Sequence, residues 1–288
     1  MNASKARGKR QGAGWRFLAL AKRPRNKVEW GCLLLLFLCV VPLAACAAST
    51  QPVIKIGLVA PFEGRYRSIG YEAIYAARLA VREINAKGGV RGYRLELVAL
   101  DDRGDPAQAI ESARKLMIDP QVMAVIGHYR PDSTDAAIKD YCDGHMPLMA
   151  IESAASLPPA CLQPPNGFVL GHAAHDQWPD DRITFLGSVP DPNSLSAAQA
   201  FVANYNAIPI DGTRAGPVAL QTYDAMALLF DAIGRAGKID RAGLAVAIAN
   251  GNFSGLGGHY AFDQNGNLID VRSYVYEYDK NGQPVLIK

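Results

Sequence analysis

Residues 53–156 alternate between short apolar runs and longer amphipathic stretches. The short runs are rich in Val, Ile and Leu and predict β-strands, whereas the longer stretches repeat apolar residues at helical spacing. The predicted strands are 53–60, 94–100, 122–127 and 147–151, and the predicted helices are 70–87, 106–118 and 133–141. Strands that alternate with helices favour a parallel sheet with helices on both faces, joined by right-handed crossovers. The predicted fold class is therefore α/β.

Polar residues cluster where these strands end. They are Glu63, Asp101, Asp102, His128, Tyr129, Glu152 and Ser153. The carboxyl ends of parallel strands share one edge of the sheet, and open α/β sheets bind small molecules in the crevice beyond that edge. The pattern predicts a ligand site at this edge, but it gives no indication of catalysis.

The rest of the chain contains fewer regular elements. Residues 157–182 are rich in proline and predict a loop with one short strand. The further predicted elements are a strand at 183–189, helices at 193–206, 218–236 and 241–248, and a strand at 272–278. Asn-Gly turns at 263–266 and 279–282 flank the last strand, so a β-meander is predicted for the tail.

The first 45 residues have the pattern of an export signal. A basic region precedes the apolar run at 31–45, which is shorter than the roughly 20 residues that a membrane span needs and ends in small residues. The segment Leu43-Ala44-Ala45-Cys46 resembles the bacterial lipobox, at which cleavage leaves a lipidated cysteine. We therefore expect an extracytoplasmic protein held on the membrane by a lipid on Cys46. An ordinary signal peptide or a short membrane anchor is the alternative.

Charge is distributed unevenly along the chain. Residues 1–45 contain nine Lys and Arg and one acidic residue, which leaves 21 basic and 26 acidic residues in 46–288. The body of the protein is mildly acidic, so its charge does not support nucleic-acid binding. Beyond the signal and Cys46, the remaining cysteines are Cys142 and Cys161. An even pair in an oxidising compartment predicts a disulfide, with two buried free thiols as the alternative.

The ordered set of segments resembles an extracytoplasmic solute-binding protein of the leucine/isoleucine/valine-binding type, which serves ABC importers. The segments are IKIGLVAPFEG (54–64), AVREINAKGGVRG (80–92), LDDRGDPAQAIESARKL (100–116), VIGHYRPDSTDAA (125–137), PLMAIESAAS (147–156), YDAMALLFDAI (223–233) and FSGLGGHYAFDQNGNL (253–268). No single segment is decisive, whereas the set in this order is specific.

The resemblance implies a type I periplasmic binding protein with two Rossmann-like lobes. A hinge would close the lobes on an amino acid or a similar amide, and this closure would be the functional event. An ABC permease would be the protein partner. The resemblance implies neither an enzyme activity nor a cofactor.

Several residues would line the ligand crevice by this resemblance. The family's contact with the ligand carboxylate and ammonium falls on Ala154 and Ser156, at the end of the fourth strand. The family's serine after the third strand aligns with Pro131, which has neither a hydroxyl nor an N–H group. We expect Ser133 and Thr134 to take its place as donors at the start of the following helix.

Further positions follow from the same comparison of motifs. The aromatic residue of the first loop aligns with Ile69, and the nearby Tyr66 is expected to substitute for it. His128 is expected either to contact the ligand or to bond to the backbone. Gly104 and Arg130 fall where some relatives carry a disulfide, so a Cys142–Cys161 bridge would be particular to this chain.

The chain is shorter than the resemblance requires. Two complete lobes need about 300 residues, and only 243 remain after cleavage. The shortfall falls between about 176 and 182, within the second lobe. The expected organisation is a signal at 1–45, a tether at 46–52, a first lobe at 53–156, a hinge and second-lobe remnant at 157–206, and return helices and strands at 207–288. The alternative function is a degenerate relative that acts as a non-transporting surface interaction module.

Metal binding is the remaining alternative. His172 and His175, spaced i and i+3, are the best metal ligands in the sequence and would suit a metal-dependent enzyme. No third ligand is specified, so we expect no metal there. One short loop after the second strand gives too few oxygens for calcium, and residues 263–267 favour a hairpin turn.

Overall fold

The computed structural model describes residues 51–153, 156–162, 165–171, 184–209, 214–280 and 283–287, without the side chains of 184–186. Several sequence-based predictions lie outside these residues. They are the signal at 1–45, the lipidated Cys46, most of the tether, Ala154, and the pair His172 and His175. Within the described residues, no helix combines the length and the apolar character that a bilayer crossing requires.

A five-stranded parallel sheet forms the centre of the protein. Its strands are β1 (Val53–Ala60), β2 (Arg94–Asp101), β3 (Val122–Ile126), β4 (Leu148–Ala150) and β5 (Gly167–Val169). Their order is β2-β1-β3-β4-β5, and each neighbouring pair is parallel. The predicted α/β fold is confirmed, and all five strands end at one edge, which we call the carboxyl edge.

Helices cover both faces of this sheet. They are α1 (Arg67–Ala86), α2 (Pro106–Ile118), α3 (Pro131–Asp143), α4 (Gln199–Asn206), α5 (Pro217–Arg235) and α6 (Arg241–Ala249). The alternate residues Ile54, Ile56 and Leu58 of β1 pack in one core with α1, α5 and α6, whereas Val59 packs in a second core with α2 and α3. Because strand side chains alternate in direction, the two cores lie on opposite faces of the sheet.

Local sequence explains where the helices begin. The Asp105 side chain accepts a hydrogen bond from the Gln108 N–H and caps α2, while Pro106 occupies the first helical position. The predicted helix at 193–206 is wrong in its first half. Two short 3₁₀ turns, Pro192–Ser194 and Ser196–Ala198, precede α4 there, because the backbone is extended at the intervening Leu195.

The last third of the chain adds two small antiparallel sheets. β6 (Thr184–Gly187) and β10 (Pro284–Leu286) both pair with β9 (Tyr274–Tyr278), so the strand predicted at the tail and its hairpin are confirmed. A second hairpin, β7 (Phe253–Ser254) with β8 (His259–Tyr260), was not predicted. At the first Asn-Gly turn, the Asp263 carboxylate accepts hydrogen bonds from the backbone, as expected of a turn.

A disulfide joins Cys142 in α3 to Cys161 in the 3₁₀ turn Pro159–Cys161, with Cα atoms 4.8 Å apart. Both residues are buried in the core between α2, α3 and the sheet. The bridge therefore ties the loop before β5 to the helix that precedes β4.

A buried carboxyl group connects three distant parts of the chain. Glu72 in α1 is 2% exposed. One of its oxygens accepts a hydrogen bond from the hydroxyl of Tyr278 in β9 at 2.7 Å, and the other accepts from the N–H of Ala219 in the first turn of α5 at 3.2 Å. Burial raises the pKa of Glu72 to about 7.

Replacing Glu72 by Gln should weaken the dependence of stability on pH. The folded protein binds a proton on Glu72 more tightly than the unfolded chain does, so this group lowers the free energy of unfolding as pH rises from about 4.5 to about 7. Glu72→Gln stays neutral throughout. Chemical denaturation gives the difference in the free energy of unfolding between Glu72→Gln and the parent protein. This difference should favour the variant by up to about 3 kcal/mol more above pH 7 than at low pH.

Glu96→Gln is the matched control, because the Glu96 side chain on β2 is 40% exposed. This control should leave the pH dependence as it is in the parent protein. Some dependence should persist in Glu72→Gln, since burial also raises the pKa of Asp224 to about 6. A Glu72→Gln protein whose stability follows pH as the parent's does would contradict this assignment.

Candidate ligand site at the carboxyl edge

A buried polar chain links the first loops of the carboxyl edge. Asp102 follows β2, His128 follows β3, and Tyr141 comes from α3; all three are buried. The His128 Nδ1 lies 2.6 Å from the Asp102 carboxylate, and its Nε2 lies 3.3 Å from the Tyr141 hydroxyl. The other Asp102 oxygen accepts from the Gly104 N–H at 2.9 Å. The His128 ring is thus held by protein groups on both nitrogens.

The start of α3 joins the loop after β3 to the end of β4. The Thr134 hydroxyl lies within hydrogen-bond distance of the carbonyl oxygens of Arg130, at 3.1 Å, and of Glu152. It therefore serves as a donor to the backbone in the described structure. Ser133 is also completely buried, and its hydroxyl has no hydrogen-bond partner among the described residues.

The end of β4 is tied to its neighbours on both sides. The Ser153 hydroxyl donates to the Asp135 carboxylate in α3 at 2.7 Å, and the Ser153 N–H donates to the carbonyl of Gly171 after β5 at 3.0 Å. Glu152 is buried, whereas Ser156 is exposed. The segment 152–153 therefore lies against α3, and the chain reaches solvent three residues later.

Tyr66 lies at the other side of this edge, directly before α1. The guanidinium of Arg130 lies over its ring, 4.5 Å from the centroid. A Cβ atom at Gly104 would lie 2.7 Å from the Tyr66 ring and 3.4 Å from Arg130 Cγ. Positions 104 and 130 are therefore neighbours.

Other predicted polar residues at this edge are paired with groups of the protein. Asp101 accepts a hydrogen bond from the Phe62 N–H at 2.7 Å, and Glu63 pairs with Arg103 at 2.8 Å. The Tyr129 hydroxyl lies 2.8 Å from that of Thr222 in α5, inside the core. Across the described ranges, no group of three or more His, Cys, Asp or Glu side chains could hold a metal ion.

Sequence reasoning missed two residues that organise this edge, Tyr141 and Asp135, and it missed the contact that Arg130 makes. Tyr141 and Asp135 lie within α3 and reach their partners only when the helix packs on the sheet. The sequence analysis named the position of Arg130 but not its stacking on Tyr66, which joins two loops 64 residues apart. No motif in the sequence indicates contacts of this kind.

Removing Asp102 should destabilise the protein strongly. Asp102→Ala leaves His128 buried without its carboxylate partner, and breaking a buried pair costs about 3–5 kcal/mol. Arg103→Ala, next in sequence, breaks a pair whose side chains are 62% and 67% exposed, and should cost less than about 1 kcal/mol. Urea unfolding of both variants measures the difference, and equal losses would contradict the buried pair.

Comparison with known proteins gives matches to both the sequence and the fold. Residues 53–180 match the model of a family described as periplasmic binding protein. The "Leu/Ile/Val-binding protein" of Escherichia coli K12 is 37% identical over 105 residues, which cover 36% of this chain and 28% of that protein. The chain thus spans less than a third of the length of this curated relative.

Two solved structures resemble the fold. One is the substrate-binding protein LivJ of a branched-chain amino acid transporter from Streptococcus pneumoniae, in complex with isoleucine. Its TM-score is 0.63 and its sequence identity is 16%, and the match covers 82% of this chain and 100% of that chain. The other is a solute-binding protein of an ABC transporter from Rhodopseudomonas palustris in complex with 3,4-dihydroxy benzoic acid. Its TM-score is 0.60 and its sequence identity is 14%, and the match covers 82% of this chain and 96% of that chain.

Proposed function

We infer, from the membership of residues 53–180 in the periplasmic binding protein family, that this chain is an extracytoplasmic solute-binding protein rather than an enzyme. The resemblance seen in the sequence and the type I periplasmic binding protein fold are both confirmed. The proposed ligand is a branched-chain or related amino acid, and the proposed partner is an ABC permease. The names of the E. coli and S. pneumoniae proteins support this ligand class.

The observation that carries the ligand proposal is the first turn of α3. The first backbone N–H groups of this helix have no acceptor within the helix, and they form the positive end of the helix dipole. Ser133 adds a buried hydroxyl without a partner among the described residues. Such a hydroxyl beside a helix N-terminus suits the carboxylate of an amino acid.

The other residues of the proposed crevice either contact the ligand or hold the loops around it. Ala154 and Ser156 would add backbone groups and a hydroxyl after β4, and Tyr66 would cover one side. Thr134 and His128 would act through the loops that they hold, since their polar atoms contact protein groups. We treat both as positioning residues.

The proposed location is outside the cytoplasm, on the membrane through a lipid on Cys46. The basic region, the apolar run at 31–45 and the lipobox-like segment support export and lipidation. The proposed organisation keeps a first lobe at 53–156 and return elements at 207–288. The segment 157–206, proposed as a hinge and second-lobe remnant, also contributes β5 to the central sheet and α4 to the helices that cover it.

A surface interaction module that no longer binds solute is the second candidate. Pro131 occupies the position of the family's serine and provides neither an N–H nor a hydroxyl at the first turn of α3. The short segment between about 176 and 182 leaves few residues for a second lobe. Ligand binding separates the two functions.

Calorimetric titration with leucine, isoleucine and valine tests the proposal. At least one of them should bind, and Ser133→Ala should weaken that binding by about tenfold or more, because hydrogen bonds to charged groups contribute about 1.5–3 kcal/mol. The matched control is Ser112→Ala, which removes a buried hydroxyl from α2. If none of the three amino acids binds, the result favours the interaction module.

A further inference from the structure

Three arginines lie at the carboxyl edge where α1 and α3 begin. Tyr66 is the N-cap residue of α1 and has Arg65 and Arg67 on either side in the sequence, whereas Arg130 is the N-cap residue of α3. The guanidinium carbon of Arg130 lies 4.5 Å from the centroid of the Tyr66 ring, and that of Arg65 lies 5.7 Å from it. Two guanidinium groups are thus held against one half-buried ring. We call these three arginines the arginine cluster.

The start of a helix is an unfavourable place for arginines. The N-terminus of a helix carries partial positive charge, so acidic side chains stabilise it and basic side chains do not. Helix α1 nevertheless begins between Arg65 and Arg67 and has no acidic residue in its first turn, whereas α3 has Asp132 there. Positive charge is therefore concentrated at this part of the carboxyl edge, and a bound anion would offset it.

Carboxylates of the neighbouring loops have partners outside the arginine cluster. Glu63 and Asp101 both pair with Arg103, at 2.8 and 3.6 Å. Asp102 is buried and pairs with His128 at 2.6 Å. These three carboxylates therefore balance charges other than those of the arginine cluster.

Stacking on Tyr66 orients the Arg130 guanidinium and leaves its rim for hydrogen bonds. A guanidinium has five N–H donors in its plane, and a cation–π contact uses the face of that plane. Gly104 makes the close stack possible, because a Cβ atom there would lie 2.7 Å from the Tyr66 ring. Arg130 is half-buried, so part of it is accessible to a ligand. Donors in one plane match a carboxylate, which accepts two parallel hydrogen bonds.

We propose that Arg130, held by Tyr66, makes the carboxyl edge prefer acidic amino acids to neutral ones. Arg130 directly precedes Pro131 and the first turn of α3, where the α-carboxylate of the ligand is proposed to bind. The side-chain carboxylate of aspartate or glutamate then pairs with the Arg130 guanidinium. This inference rests on the proposed solute-binding function and names its preferred ligand class. Leucine, isoleucine and valine bind at the same edge more weakly, because their side chains offer the guanidinium no acceptor.

Two pairs of ligands of matched shape test this preference. Calorimetric titration of the purified protein compares glutamate with glutamine and aspartate with asparagine, and leucine serves as the reference. At least one acid should bind about tenfold or more tightly than its amide and than leucine, because hydrogen bonds between two charged groups are the stronger ones. If leucine binds and neither acid exceeds its amide, the preference is refuted and the solute-binding function stands. If none of the five binds, both proposals fail.

Variants of Arg130 locate the preference. Arg130→Met keeps an unbranched side chain without the charge, so the ratio of acid to amide affinity should fall about tenfold or more while leucine binds as in the parent. Arg130→Lys keeps the charge without the planar fork and should retain part of the preference. The matched control is Arg114→Met, because Arg114 in α2 is 65% exposed and pairs with Asp140, and its ratio should equal the parent's.

The variants also separate ligand binding from a purely structural role of the stack. If the stack only ties the two loops together, Arg130→Met should unfold at a lower urea concentration and keep the parent's ratio of acid to amide affinity. That result would overturn the proposal. The titration of the parent protein decides the preference even where a variant does not fold.

Discussion

The contact between Asp102 and His128 holds the carboxyl edge together. Both side chains are completely buried and 2.6 Å apart, although they come from loops that follow different strands. A buried polar pair of this kind is stable only when its remaining polar atoms are also satisfied, and here Gly104 and Tyr141 complete the set. The loops after β2 and β3 and the helix α3 are thereby fixed relative to one another.

This fixed arrangement supports the proposal that the ends of the strands form one ligand site. The Thr134 hydroxyl and the Ser153–Asp135 contact attach the end of β4 to the same helix. Most polar groups at this edge are therefore occupied within the protein, and the Ser133 hydroxyl stands out as buried without a partner among the described residues. An edge whose polar groups are already held in place is pre-organised for a small ligand, because little ordering remains to be done on binding.

Sequence patterns predicted the sheet well because its strands and helices are local and strongly periodic. The parallel arrangement follows from the alternation of elements, and the shared edge at Asp102 and His128 follows from the arrangement. The helix start at 193 was wrong because the extended Leu195 interrupts what appeared to be one apolar pattern. The contact of Tyr141 with His128 was not predictable, because it depends on how α3 packs against the loop after β3.

Hydrogen–deuterium exchange with and without isoleucine tests the central claim most directly. If the carboxyl edge is the ligand site, isoleucine should slow exchange in the first turns of α3, around 131–135, and at 151–153, while α6 is unchanged. α6 serves as the internal reference, because Arg241 in its first turn bonds to the Val122 carbonyl at the start of β3, at the other edge of the sheet. Protection confined to α6, or protection in neither region at saturating isoleucine, would contradict the account.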